Sequence, residues 1–195
     1  CDSGTGPWNR MNSTPRSSDP DRPADRLFSM RFLGIDPGLR LTGYGCVHLA
    51  DGATDPELVE GGVLRLTPSD PLPRRLRDLD HDLQQVIEEL SPDCVVVEQV
   101  FSHVHRARTA ILMGHARGVI LLAAGRHGLP VEELAATEVK RAVTGHGHAS
   151  KRQVQASVAG QLGLETVPDP PDVADAIALA LCSARRVALL DASKP

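Results

Sequence analysis

The chain has 195 residues, of which 41% are hydrophobic and 24% are charged, and its formal net charge is −4. This length predicts about one domain, large enough to bury a core. No apolar run approaches the ~18 residues of a membrane span, which argues against a membrane-spanning protein. Because residues 1–29 also lack the apolar middle of a secretory signal, we expect a cytoplasmic protein with no membrane partner.

The ends of the chain differ in composition from its middle. Residues 1–29 are rich in Ser, Pro, Asp and Arg and contain almost no apolar residues. Such a segment cannot offset the entropy that is lost on folding, so we expect it to be disordered. We expect the folded domain to span residues 30–190, followed by a flexible C-terminus at 191–195.

The first part of this domain is typical of three strands joined by short turns. Apolar and β-branched runs predict these strands at 31–36, 43–49 and 58–66. Pro37 and Gly38 form the first turn. Gly61 and Gly62 predict a weak point or a bulge in the third strand. The three strands should form an antiparallel meander.

The rest of the chain alternates helices with buried strands. Three- and four-residue apolar spacing, with turn residues between, predicts helices at 74–90, 105–126, 137–143, 151–162 and 172–190. Two apolar runs predict parallel strands at 93–98 and 130–134. Thr137 should cap the third helix, and Ser150 with Gln153 a capping box for the fourth. The order predicts an α/β fold whose mixed five-stranded sheet carries helices on both faces.

Four acidic residues lie at the ends of apolar segments. Asp36 closes the first strand, Glu98 closes the fourth, and Asp172 and Asp175 open the last helix. A buried carboxylate is costly unless a cation or hydrogen-bond donors compensate it. Carboxylates are the ligands that Mg²⁺ and Mn²⁺ prefer, and two such ions can activate a water and stabilise the leaving oxygen of a phosphodiester. The acids therefore predict a two-metal site for phosphoryl transfer.

Each acid, taken singly, also has a structural explanation. Asp36 can stabilise a turn, and Asp172 can cap the last helix or interact with its dipole. Glu98 is harder to explain in this way, because Glu neither favours turns nor caps strands. Asp175 faces an apolar segment. Both the structural and the metal-binding interpretation remain open at this point.

The net charge conceals a basic zone. Between Phe101 and Arg152 the chain has eight Lys and Arg residues against three acids, a balance of +5, and six of its eight histidines. The four acids at the segment ends account for −4, so the remaining chain is neutral. A basic zone beside an acidic pocket suits a polyanionic substrate that is cut with the help of a metal.

Five motifs follow one another in a specific order: FLGIDPGLRLTGYG at 32–45, VEQVF at 97–101, GHARGV at 114–119, VK at 139–140 with GHGHASK at 145–151, and ADAIA at 174–178. In this order they resemble the RuvC family of Holliday junction resolvases, over about residues 31–185. The resemblance implies a ribonuclease H-like fold, a homodimer and Mg²⁺-dependent cleavage of four-way junction DNA. It also implies the RuvA–RuvB branch-migration complex as a partner.

The resemblance assigns roles to individual residues. The family's four metal-binding catalytic acids match Asp36, Glu98, Asp172 and Asp175. Two Mg²⁺ ions per site are expected, and Mn²⁺ as a substitute. Phe101 matches an aromatic residue that stacks on bases, with core packing as the alternative. Lys140 and Lys151 match residues that contact the DNA backbone, with a solvated surface position as the alternative.

The chain departs from the family just after Phe101. Many members carry a Lys-Asn pair there, whereas this chain has Ser-His-Val-His-Arg at 102–106 and is one residue longer before Gly114. Arg106 or Arg108 can replace the lost positive charge. Further along, His146 and His148 precede a helix N-terminus, which fits phosphate contact or a turn better than metal ligation.

The resemblance thus implies an endonuclease of DNA recombination and repair. We expect paired, symmetric cuts in Holliday junctions, leaving 5′-phosphate and 3′-hydroxyl ends that can be ligated. An actin-like sugar kinase or ATPase is a rival, because Asp36-Pro37-Gly38 with Thr42-Gly43 resembles its phosphate loop, but the chain is too short for two lobes. The other rivals are a non-catalytic junction-binding protein and a ribonuclease H acting on RNA–DNA hybrids.

Overall fold

The computed structural model describes residues 29–99 and 107–193, with side chains described from residue 110 onward in the second range. The predictions for the chain ends, disorder at 1–29 and flexibility at 191–195, lie mostly outside these ranges. Within them, Ser29 is tied to the sheet by a 2.7 Å hydrogen bond between its hydroxyl and the ring of His48.

Residues 29–99 and 107–193 contain five strands, which form a single mixed sheet. They are β1 (Met30–Asp36), β2 (Leu41–Leu49), β3 (Glu57–Arg65), β4 (Cys94–Glu98) and β5 (Val131–Leu134). Their order across the sheet is β3-β2-β1-β4-β5. β1 pairs antiparallel with β2, and β2 with β3, whereas β4 runs parallel to both β1 and β5. The predicted meander and mixed sheet are confirmed, and β1 and β4 are neighbours.

In the part of the chain that the structure describes, five helices cover the two faces of the sheet. They are α1 (Leu72–Leu90), α2 (Ala107–Arg126), α3 (Ala136–Thr144), α4 (Lys151–Gln161) and α5 (Pro171–Ala192). Leu33 and Ile35 of β1 pack with α1 and α2 on one face. Phe32 packs with α3, α4 and α5 on the other face. In the described ranges, no helix combines the length and the apolar character that a membrane crossing requires.

The described helix starts lie within two residues of the predicted ones, and two of them are informative. The capping box of Ser150 and Gln153 at the start of α4 is confirmed. Thr137 is wrong as a cap, because α3 begins at Ala136, directly after β5, and Thr137 already lies inside its first turn. Helix α1 begins at Leu72, two residues earlier than predicted, because a proline is tolerated in the first turn of a helix.

The bulge of the meander lies away from the glycine pair. The register of β2 against β3 shifts between Cys46 and Val47, where Val59 of β3 has no partner in the pairing. Gly61 and Gly62 instead allow close packing, since a methyl group on Gly62 would overlap the ring of Tyr44. The glycines therefore adapt the strand to its neighbours.

Helix α5 lies directly on the backbone of β1 and β2. A methyl group on any of three glycines in these strands would overlap atoms of α5, and the glycines are Gly34, Gly43 and Gly45. Gly43 is the critical one, because it pairs with Asp36 in the sheet and faces the backbone carbonyl of Asp172. The glycines thus place the first turn of α5 beside the end of β1.

Candidate functional site

Side-chain alternation directs Asp36 and Glu98 to the same face of the sheet. Phe32 of β1 and Val96 of β4 belong to the core layer that contains α5. Every second residue of a strand faces the same side, so Asp36 and Glu98, which close the two strands, turn toward α5. The parallel pairing of β1 with β4 puts both strand ends at one edge.

Asp172 and Asp175 lie at the N-terminal end of α5, three residues apart and therefore on one face of the helix. Asp172 is in the first turn, where its charge favours the helix dipole, but the cap residue is Pro170 and no side chain caps the helix. Because Asp172 packs against Gly43, the strand partner of Asp36, the helix and strand acids meet at the same edge of the sheet.

The electrostatics of Asp36 show that the four acids act on one another. Its pKa is raised from the ordinary 3.8 to about 7, chiefly by burial and then by the negative charges of Asp175, Asp172 and Glu98. Lys151 opposes the increase. A turn aspartate at the surface would not experience three other carboxylates, so the structural explanation of Asp36 does not account for its surroundings.

Glu98 lies in the same field, although its side chain is more exposed. Partial desolvation raises the pKa of Glu98, and the charge of Asp175 raises it further. Lys140 and Lys151 act in the opposite direction. Two lysines and four carboxylates therefore share one end of the sheet.

Lys151 supplies a positive charge within the cluster of acids. Its ammonium group lies 2.9 Å from Oδ2 of Asp175, and its side chain is 62% exposed. Burial lowers the pKa of Lys151, but the hydrogen bond to Asp175 and the charges of Asp36 and Asp172 outweigh this and raise it. One lysine can balance only part of the charge of four carboxylates.

The donor set fits a divalent cation, although the side chains are not closed around one. In the part of the chain that the structure describes, no three His, Cys, Asp or Glu side chains are gathered as one ion would need them. The oxygen donors are nevertheless of the kind that Mg²⁺ and Mn²⁺ select. Burial and the charges of neighbouring carboxylates raise the pKa of Asp36, and a bound cation would offset both effects.

The other predicted site residues are placed with different degrees of detail. Lys140 in α3 is near enough to Glu98 to lower its pKa. His146 and His148 are exposed before α4, with their rings 6.0 Å apart, and neither ring is among the groups that shift the pKa of Asp36. Phe101 and Arg106 lie outside the described residues, and for Arg108 only the backbone of α2 is described.

Arg117 contacts the site, and the sequence patterns did not single it out. Its Nη1 atom donates a 3.0 Å hydrogen bond to the backbone carbonyl of Glu98, and Nη2 lies 2.5 Å from Oε1 of Glu133. The side chain is only 12% exposed. The signal available in the sequence was a charged residue, Arg117, beside the apolar positions Ala116 and Val119 of a mostly apolar helix.

We expect the metal-free protein to lose stability as the pH rises from about 4 to about 7, and to change little above that. The pKa of Asp36 is about 7 in the folded chain and lower in the unfolded one, so folding binds a proton in this window and is disfavoured as that proton is lost. Asp36→Asn should abolish this loss, gaining on the order of 2–4 kcal/mol over the wild type at pH 8. Urea unfolding in EDTA at several pH values measures it; a difference between the two proteins that does not change with pH would contradict it.

Comparisons with known proteins agree with this architecture. The family model of crossover junction endodeoxyribonuclease RuvC matches residues 32–183. A protein of that name from Rhodopirellula baltica is 50% identical over 152 residues, which are 77% of this chain and 83% of the relative. Its counterpart from Desulforamulus reducens is 44% identical over 156 residues, covering 80% of this chain and 94% of the relative.

Solved structures show the same fold. Thermus thermophilus RuvC, in complex with a Holliday junction substrate, superposes with a TM-score of 0.75 at 36% identity, covering 82% of this chain and 96% of that one. The yeast mitochondrial Holliday junction resolvase has a TM-score of 0.61 at 16% identity, with 85% and 82% coverage, a likeness of fold alone. The predicted ribonuclease H-like fold is confirmed. By sequence and by structure, this chain belongs to the crossover junction endodeoxyribonuclease RuvC family.

Proposed function

We propose that this chain is a divalent-metal-dependent endonuclease that resolves Holliday junctions. The observation that carries the proposal is the meeting of Asp36, Glu98, Asp172 and Asp175 at one edge of the sheet, where burial and mutual repulsion raise the pKa of Asp36. Its relatives are named crossover junction endodeoxyribonucleases, and the Thermus thermophilus member was solved with a junction substrate. A nuclease of this kind would act in DNA recombination and repair.

The four acids would hold two Mg²⁺ ions, or Mn²⁺ in their place. The chemistry that this metal site would supply is a lowered pKa of the attacking water and stabilisation of the leaving oxygen of the scissile phosphate. The backbones of the four acids are fixed by β1, β4 and α5, which sets the positions of their carboxylates. Hydrolysis then leaves a 5′-phosphate and a 3′-hydroxyl, ends that can be ligated.

Lys140 and Lys151 are suited to hold the DNA backbone beside the acids. Both lie near enough to Glu98 to lower its pKa, and the ammonium of Lys151 is exposed to solvent. A phosphate that approaches the cluster can take over the ammonium of Lys151 from Asp175, which frees that carboxylate. The remaining DNA contacts that we propose on the sequence alone are Phe101, Arg106, Arg108, His146 and His148.

We propose that two copies of the chain pair through α2. On one side of this helix Ile111 is 61% exposed and Leu122 is 51% exposed. Gly114 and Gly118 lie between them, and a methyl group on either would meet no atom of the described residues. An apolar strip with small residues allows a second helix to approach closely. Twofold symmetry then presents one site to each of two like strands of a junction, which explains paired cuts.

Leu122→Glu is expected to convert the dimer into a monomer, because a charge would be buried against the partner's strip. Sedimentation velocity measures the change, and paired cutting of a junction should be replaced by single nicks. Leu189→Glu is the matched control, since Leu189 is 72% exposed on α5 and should tolerate the charge. A Leu122→Glu protein that sediments as a dimer would refute the assignment of this surface.

The substrate is tested by a panel of nucleic acids. With Mg²⁺, the protein is incubated separately with a synthetic four-way junction, a linear duplex of the same sequence and an RNA–DNA hybrid, and the cuts are mapped. We expect symmetric cuts near the junction centre and none in the linear duplex. Cutting of the hybrid alone would indicate a ribonuclease H. Junction binding without any product would indicate a non-catalytic protein. ATP turnover without DNA would indicate the kinase-like rival. The RuvA–RuvB complex is the partner that family membership favours.

A further inference from the structure

Arg117 joins three elements beneath the acid cluster. From α2 its guanidinium reaches the last residue of β4, through the carbonyl of Glu98, and the edge strand β5, through the carboxylate of Glu133. Both contacts are short, at 3.0 and 2.5 Å, and the side chain is 12% exposed. A nearly buried guanidinium with two fixed acceptors has a single defined position.

The last residue of β4 lies beyond the pairing of that strand with β1. The pairing of β4 with β1 ends at Ile35 and Val97, one residue before Glu98. Glu98 is paired only with Leu134 of β5 in the sheet register. The guanidinium of Arg117 binds the Glu98 carbonyl where the support from β1 has ended. The backbone that carries the carboxylate is therefore held by β5 and by Arg117.

Arg117 acts on Glu98 through its backbone. Helix α2 packs on the face of the sheet that carries Ile35 and Val97, whereas the Glu98 side chain turns toward α5. The cations that shift the pKa of the Glu98 carboxylate are Lys140 and Lys151, and Arg117 is not among them. Arg117 is also much less exposed than Lys151, so it is less accessible to a DNA phosphate than that lysine is.

We infer that Arg117 is a positioning residue, which sets the place of the Glu98 carboxylate among the four acids by fixing the carbonyl of the same residue. The inference rests on the proposed role of Glu98 as a metal ligand. Its consequence is specific: without Arg117 the cluster should bind a divalent ion more weakly, while the surface that binds the junction is unchanged. Outer partners that orient metal ligands typically contribute 10- to 100-fold to metal affinity or activity.

The test compares four single substitutions. Arg117→Gln removes both contacts, and Arg117→Lys keeps the charge but not the two-pronged geometry. Glu133→Gln weakens the ion pair and leaves the bond to the Glu98 carbonyl. Arg126→Gln is the matched control, since Arg126 lies on the same helix and is ion-paired at 2.6 Å, but with Asp80 of α1. Three quantities are measured: the Mg²⁺ concentration at half-maximal cleavage, the Mn²⁺-induced rise in melting temperature, and junction binding in EDTA.

We expect Arg117→Gln to raise the half-maximal Mg²⁺ concentration about tenfold and to reduce the Mn²⁺-induced rise in melting temperature. Arg117→Lys should lie between it and the wild type, Glu133→Gln should show a smaller shift in the same direction because it loosens Arg117, and Arg126→Gln should behave as wild type. Junction binding in EDTA should be equal in all of them. If Arg117→Gln does not unfold cooperatively, Arg117→Lys decides the question by the same three measurements.

Two results would overturn the inference. An unchanged Mg²⁺ dependence in a folded Arg117 variant would leave the residue with a structural role only. Weaker junction binding in EDTA at an unchanged Mg²⁺ dependence would make it a DNA contact. The failure of the proposed function itself is distinguishable, because in that case the wild type would not cut the junction at any Mg²⁺ concentration.

Discussion

Asp36→Asn and Glu98→Gln are each expected to slow junction cleavage by about a thousandfold or more, without weakening junction binding. Each substitution replaces a charged oxygen donor by a neutral amide of nearly the same shape, so the metal-binding charge is lost and the fold is kept. The two residues close β1 and β4 and turn to the same face of the sheet. Single-turnover cleavage with Mg²⁺ and gel-shift binding in EDTA measure the two effects.

Matched controls exist elsewhere in the chain. Asp80→Asn removes a carboxylate of α1 that is paired with Arg126, and Glu133→Gln removes one of β5 that points away from the acids toward Arg117. Neither should alter the cleavage rate by more than a small factor. Cleavage at the wild-type rate by Asp36→Asn or by Glu98→Gln would remove that residue from the site.

Gly43→Ala is expected to destabilise the protein by about 1–3 kcal/mol and to abolish cleavage. Its methyl group would overlap the carbonyl of Asp172, and the backbone at this point has no room to move without shifting the first turn of α5. Because that turn carries Asp172, and the next carries Asp175, the displacement should disrupt the acid cluster as well as the packing. Urea unfolding in EDTA and the junction assay measure the two losses.

The control is Gly160→Ala in α4. A methyl group there would meet no atom of the described residues, and alanine is favoured over glycine inside a helix by about 0.5–1 kcal/mol. The same substitution should therefore stabilise the protein at position 160 and destabilise it at position 43. Equal stability of Gly43→Ala and the wild type would show that α5 is not seated as described.

The sequence carried enough information to predict the sheet and the meeting of the acids. Apolar runs and turn residues are local features, so the strands and helices could be found from residues near one another. The acids at the ends of apolar segments predicted a shared metal site, and the adjacency of β1 and β4 in the structure then places Asp36 and Glu98 at one edge of the sheet. The order and identity of the motifs then identified the family, which single acids could not have done.

Features that depend on contacts between distant residues escaped prediction. The bond of Arg117 to the carbonyl of Glu98 joins positions 19 residues apart, and nothing in the helix pattern indicates which carbonyl an arginine will meet. The pairing of Lys151 with Asp175 is of the same kind. Gly61 and Gly62 predicted a weak point or a bulge in β3. A glycine in a strand can also allow close packing, and only the positions of Tyr44 and α5 reveal this third role.

The raised pKa of Asp36 also explains why these acids resist a purely structural interpretation. A carboxylate with a structural role is usually stabilised in its charged form by its surroundings. The charged form of Asp36 is instead disfavoured by burial and by the charges of Asp175 and Asp172. Sites that need a ligand commonly cost the unliganded fold some stability. The cost should be recovered when a divalent ion binds, which links the stability measurements to the function.

The most direct test of the account is to count the Mn²⁺ ions that the junction-bound protein binds, from the loss of the free-ion paramagnetic resonance signal. The wild type is compared with single substitutions of the four acids, Asp36→Asn, Glu98→Gln, Asp172→Asn and Asp175→Asn. We expect two ions per chain in the wild type, and weaker or fewer bound ions in each of the four variants. Undiminished Mn²⁺ binding by all four variants would contradict the claim that these acids form the metal site.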